Sequence, residues 1–102
     1  MSGPGQARRR VQVVNEKGVH ARPAAMLATR AKRFASQLAI TLVEVPDGGG
    51  AEAGTRVDAK DVLEIMFLGA PPGAWLEIEA HGDDAEAAVA ALAALVDAGF
   101  EE

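Results

Sequence analysis

The sequence contains no cysteine, which removes disulfides, thiolate metal sites and cysteine nucleophiles from consideration. It has no tyrosine, one tryptophan and three phenylalanines, so the aromatic platforms on which single-stranded nucleic acids stack are scarce. No run approaches the ~20 apolar residues of a membrane span, and no secretory signal precedes the first strand-like segment. The expectation is a soluble, cytoplasmic protein with no membrane insertion. What is present suffices for one compact domain: 102 residues, of which 49% are hydrophobic and 25% charged. That balance also argues against wholesale disorder.

Charge of one sign is scarce at the start of the chain and charge of the other sign is missing from its end. The first 35 residues carry Arg8, Arg9, Arg10, Lys17, Arg22, Arg30, Lys32 and Arg33 against Glu16 alone, and from Glu77 onward every charged side chain is acidic. With a net charge of −5, this is no uniformly basic phosphate-backbone binder, and no nucleic acid is expected as a partner. The asymmetry suits a small dipolar protein whose basic end meets an acidic partner or a phosphate. The plainer reading is the ordinary solubility of an acidic domain.

Periodicity gives the organisation. Residues 1–8 read as a disordered start, and residues 9–102 as a single domain. Arg9 to Asn15 alternates as a first strand, with Val11 and Val13 on one side, and Asn15-Glu16-Lys17-Gly18 is turn chemistry. From Pro23 to Arg33 the period becomes helical, with Ala24, Leu27, Ala31 and Phe34 on one face. Pro23 is tolerated in that first turn because no intrahelical donor is lost there. Gln37 to Val45 is a second strand, closed by Pro46-Asp47 and a Gly48-Gly49-Gly50 linker running to Gly54. That glycine run lacks the helix and the Lys-Ser/Thr of a phosphate-binding loop. Thr55 to Asp58 is a short third strand, Asp61 caps a helix over Val62 to Phe67, and Ala74 to Ala80 is the last strand. Asp83, with Glu86 three residues on, starts a final helix that ends at Gly99. Each helix has one apolar stripe to bury, so the economical solution is α+β, with the helices on one face of a mostly antiparallel sheet.

One segment carries chemistry: Gly18-Val19-His20-Ala21-Arg22-Pro23-Ala24-Ala25. His20 lies at a helix start, where backbone N–H groups lack intrahelical partners and an imidazolium is disfavoured. The same amides can receive phosphate oxygens, and the Arg22 guanidinium can fork onto them. Gly18 permits a tight approach of strand to helix. Read on the residues alone, the segment is either this nucleophile with its anion cradle or merely a capping histidine beside a solvated arginine. His81, with no other histidine or cysteine near it, reads as a surface turn residue, and the acidic residues Glu77, Glu79, Asp83, Asp84 and Glu86 as a solvated face.

The histidine segment resembles the active-site signature of the HPr family, the histidine-containing phosphocarriers of bacterial phosphotransferase systems. The likeness extends through Ala59-Lys60-Asp61-Val62-Leu63-Glu64-Ile65-Met66-Phe67-Leu68-Gly69 and through Pro72-Gly73 to Ala80-His81-Gly82-Asp83. It covers Val11 to Gly99 apart from the Pro46–Gly54 loop, within an apparent insertion at residues 44–54. The resemblance implies an open-faced β-sandwich, β-α-β-β-α-β-α, with a four-stranded antiparallel sheet and three helices on one face. It implies that His20 is phosphorylated on Nδ1 by enzyme I, with phosphoenolpyruvate as the original donor, and passes the group to a histidine of an enzyme IIA-type acceptor. Arg22 matches the arginine that accompanies the phosphohistidine. Ala21, Ala25, Met26 and Thr29, with Val62, Leu63, Met66 and Phe67, match the docking surface for donor and acceptor, while Ile65 is expected in the core. The chain would then act as a monomer, a covalent carrier rather than a turnover enzyme, with no cofactor or metal, and with a regulatory kinase as a further partner.

Asp61 departs from the pattern, standing where many family members carry a regulatory serine. It is either simply a good N-cap or a fixed charge that imitates phosphoserine. The second possibility supports an alternative function: a regulatory binding module whose partner choice depends on His20 phosphorylation.

Overall fold

The computed structural model describes residues 5–46 and 51–102. Among these, the order is β1 (Gln6–Gln12), α1 (Ala21–Ala31), β2 (Gln37–Glu44), β3 (Arg56–Asp58), α2 (Val62–Phe67), β4 (Trp75–His81) and α3 (Ala85–Asp97), then a 3-10 turn at Gly99–Glu101. The sheet runs β1-β4-β2-β3 with every pairing antiparallel, and the helices cover one face, as in an open-faced sandwich. The period-2 patterns choose that face. Val11, Leu76 and Leu42 lie in register across three strands, as do Ala7, Ala80 and Leu38, and all six are buried. Against them pack Leu27, Ala28 and Ala31 of α1, Ile65 of α2, and Val89, Leu92 and Val96 of α3.

Several boundaries differ from the sequence reading. The first strand starts at Gln6, three residues before the expected Arg9, because Ala7 is small enough to bury opposite Ala80 while Gln6 pairs with His81. Ordered structure therefore begins inside the segment read as a disordered start. The rest of that segment, residues 1–4, lies outside the described residues, as does the Gly48-Gly49-Gly50 linker. α1 begins at Ala21, not Pro23, which makes Pro23 its third residue.

The start of α3 is the clearest correction. The helix begins at Ala85, after Asp84 and not at the expected Asp83–Glu86 capping box, and no side chain among the described residues caps it. Asp84 instead turns its carboxylate to the α1–β2 connection, accepting from Ala35 N at 2.8 Å, Ser36 N at 2.9 Å and the Ser36 hydroxyl. Two adjacent free amides and a buried serine outcompete the helix's own donors for that carboxylate. These bonds, led by the Ser36 hydroxyl, hold the Asp84 pKa below its ordinary value. A depressed carboxylate pKa stabilises the fold above its unfolded value and loses that contribution as pH falls through the folded one. The melting temperature of the parent should accordingly drop below about pH 4, while Asp84→Asn starts lower and changes less over that window. Circular dichroism melts between about pH 2 and 6 check this: equal gaps at both ends would remove Asp84 as the titrating group.

Candidate functional site

The site begins where β1 leaves the sheet. Val13 stays tied to the entry of β4, donating to Ala74 O at 2.8 Å and accepting from Gly73 N at 2.7 Å. Asn15 and Gly18 then close a turn: Gly18 N donates to Asn15 O at 3.2 Å and Asn15 Nδ2 donates to Gly18 O at 2.7 Å. Gly18 has φ +66, and a Cβ placed there would collide with the Ala70 carbonyl oxygen and lie 3.1 Å from Pro71 Cα. The close approach is thus to the α2–β4 connection, not to a helix as the sequence reading had it. Val19 N, bonded to Ala70 O at 2.9 Å, fixes the contact.

This clamp delivers His20 to the N-cap of α1, with extended backbone (φ −90, ψ −164) and no side-chain bond to the helix. Its carbonyl accepts the first intrahelical bond, from Ala24 N at 3.0 Å. Pro23 has no N–H, and the amides of Ala21 and Arg22 have no partner among the described residues. Two donors therefore sit free beside the imidazole, at the positive end of the helix.

The ring itself is held from the far end of the chain. His20 Nε2 lies 2.6 Å from Glu102 Oε2, and Arg22 Nη1 lies 3.6 Å from the same oxygen while donating to Phe100 O at 3.3 Å. The other carboxylate oxygen accepts from Asn15 Nδ2 at 2.9 Å. Glu102 arrives there through a left-handed turn, with positive φ at Gly99, Phe100 and Glu101, pinned by the fully buried Phe100 ring. The Asn15 hydrogen bond first, then the bond and charge of His20 and the charge of Arg22, hold the Glu102 pKa below its ordinary value against the opposing effect of burial. An ionised carboxylate only accepts, so Nε2 is the ring nitrogen that donates toward Glu102, and in the neutral tautomer that makes this bond the lone pair falls on Nδ1. The His20 side chain remains 36% exposed, open to an incoming electrophile.

The other residues singled out in the sequence fall around this centre. Ala21, Ala25 and Thr29 are exposed on α1 and Met26 is half-buried. Arg22, Ala25, Met26 and Thr29 line one groove with Arg30, Arg33 and Leu95. On α2, which packs against α1, Leu63 (67% exposed), Phe67 (79%) and Met66 (41%) face solvent, Val62 is half-buried, and Ile65 is fully buried. Asp61 caps α2, accepting from Glu64 N at 3.2 Å.

His81 is the last ladder residue of β4 rather than a turn residue. Its Nε2 lies 3.2 Å from Glu79 Oε2, and Arg56 engages the other oxygen of Glu79. Glu79, read as solvated, is buried at 7% exposure because those two side chains cover it on the open face of the sheet. Asn15 and Glu102 are the site residues that the sequence did not disclose. Asn15 looked like turn chemistry, and nothing in the sequence links Glu102 to a ring 82 positions earlier.

Residues 7–98 match the family model described as the PTS HPr component phosphorylation site. The chain is 36% identical over 92 residues to the phosphocarrier protein HPr of Treponema pallidum, covering 90% of this chain and 93% of that protein. It is 37% identical over 91 residues to the multiphosphoryl transfer protein of Vibrio cholerae, covering 89% of this chain but only 21% of the relative's length. The structure of HPr from Thermoanaerobacter tengcongensis superposes with a TM-score of 0.77 at 33% identity, over 94% of this chain and 97% of that one.

Proposed function

Because the chain belongs to the HPr family of phosphotransferase-system phosphocarriers, we propose that His20 is its phosphorylated residue, charged by enzyme I and discharged to an enzyme IIA-type acceptor. In the charging step the Nδ1 lone pair attacks phosphorus. The new N–P bond forms as the donor's own N–P bond breaks, and that donor, phosphohistidine on enzyme I, was itself charged from phosphoenolpyruvate. The imidazole gains positive charge as the bond forms, and the Glu102 carboxylate on Nε2–H compensates it. The transferred oxygens meet the free Ala21 and Arg22 amides and the Arg22 guanidinium, which exchanges Glu102 for the phosphoryl group. Discharge runs the same path backwards, so the exposed apolar side chains of α2 (Leu63, Met66 and Phe67) and the arginine-lined groove of α1 serve donor and acceptor in turn. Met is suited to such double use, being readily repacked.

The observation that carries this reading is the partly exposed imidazole at a helix start, with its Nε2 2.6 Å from a carboxylate oxygen and its Nδ1 not engaged by it. The capping bond that Asp61 makes to Glu64 N supports the reading of this residue as a helix cap, and the carrier reading needs no further role for it. Incubation with enzyme I and labelled phosphoenolpyruvate is the test. Label should enter the parent chain, be lost in acid, survive in alkali, and fall to background in His20→Ala. Equal labelling of that variant would refute the assignment.

A further inference from the structure

We propose that Asn15 is a positioning residue for phosphoryl acceptance: by holding the Glu102 carboxylate, it sets the His20 ring in the tautomer that offers Nδ1. The inference rests on His20 being the acceptor. Asn15 is buried, with 6% exposure, and its amide spends both protons, one on Gly18 O at 2.7 Å and one on Glu102 Oε1 at 2.9 Å. The first bond anchors Asn15 to the turn that delivers His20. The second leaves Glu102 only its other oxygen to present, and that oxygen lies 2.6 Å from His20 Nε2.

The amide has one workable orientation. Rotated by half a turn, its oxygen would face two acceptors, Gly18 O and Glu102 Oε1, and both contacts would be repulsive. In the workable orientation Asn15 Oδ1 is buried with no partner among the described residues. The two donors are thus the working groups of the amide, and they fix the geometry of the carboxylate against the turn. Glu102 is otherwise a long side chain with free rotamers, contacted by a ring it is meant to orient and by an arginine meant to leave it. Without Asn15, the direction of the Nε2 bond would be set by the very groups that move during transfer. The depressed pKa of Glu102, to which Asn15 is the largest contributor, keeps the acceptor ionised across the working range.

The test reads the tautomer directly, by long-range 1H–15N correlation of the His20 ring, alongside charging by enzyme I. The parent should be predominantly protonated on Nε2. Asn15→Asp, which replaces the donor with a second carboxylate, should move population to Nδ1–H. It should also lower kcat of charging roughly ten-fold, the worth of one charge-assisted hydrogen bond, with KM for enzyme I unchanged. Glu102→Gln, at an exposed backbone position where folding is not at stake, should shift the tautomer in the same direction. The reciprocal pair Asn15→Asp/Glu102→Gln restores a donor opposite an acceptor at the 15–102 contact, though not at Gly18 O, and should recover part of the Nε2–H signal. If Asn15→Asp is folded and its tautomer and kcat match the parent, the proposal is wrong; if it is unfolded, an unchanged tautomer in Glu102→Gln overturns it equally. Should the parent accept no label while the tautomer responds as described, the carrier reading fails and the Asn15–Glu102 arrangement stands.

Discussion

Phe100→Ala is expected to cost about 3–5 kcal/mol of unfolding free energy, the range for removing a fully buried aromatic ring. The ring does more than fill space. Phe100 has φ 56, a conformation that strains a bulky residue, and the turn keeps it because burying the ring outweighs the strain. Without the ring, the turn loses its reason to bend back and Glu102 loses its approach to His20. Urea denaturation should show the stability loss, and the His20 resonances should lose their dependence on Glu102 in the same variant. Phe100→Leu, which keeps most of the apolar volume, should lose far less. A Phe100→Ala protein within about 1 kcal/mol of the parent would mean that the core does not depend on this ring.

Gly18→Ala should rank next, at roughly 2–5 kcal/mol, because two penalties combine there. A side chain at φ +66 is disfavoured in itself, and its Cβ would strike the Ala70 carbonyl, which is rigid backbone held by Val19 N. Relief requires the β1–α1 connection to part from the α2–β4 connection, carrying His20 away from the α2 patch. Thermal melts and charging by enzyme I should therefore fail together in this variant. A normal melt with Ala at position 18 would show that the two loops can separate freely.

Much of this architecture was legible because it depends on local pattern. The alternation of Leu38, Ile40 and Leu42, the stripe of Ala24, Leu27 and Ala31, and the cap at Asp61 each follow from short-range physics, and the structure contains them. The histidine segment was legible for the same reason: a helix start, a proline and an arginine are adjacent in the chain. What escaped was set by contacts between distant segments. Asp84 was pulled from its helix by Ala35 and Ser36, Glu79 was buried by Arg56 and His81, and β1 was lengthened by β4. Glu102 belongs to this class. Its neighbours in sequence say only that it is charged, and the turn that aims it requires a non-glycine residue in a conformation no pattern rule assigns to phenylalanine.

The strand order has a consequence for biosynthesis. Among the described residues β1 pairs with β4 alone, so Gln12 waits for Trp75 before its ladder can form. While the chain is being made, β1 stays unpaired until β4 has emerged, the situation that invites misassociation with other nascent chains. The consecutive cations Arg8, Arg9 and Arg10 repel such pairings until β4 arrives with Glu77 to receive Arg10. Neutralising those arginines would thus harm yield during expression more than the stability of molecules already folded.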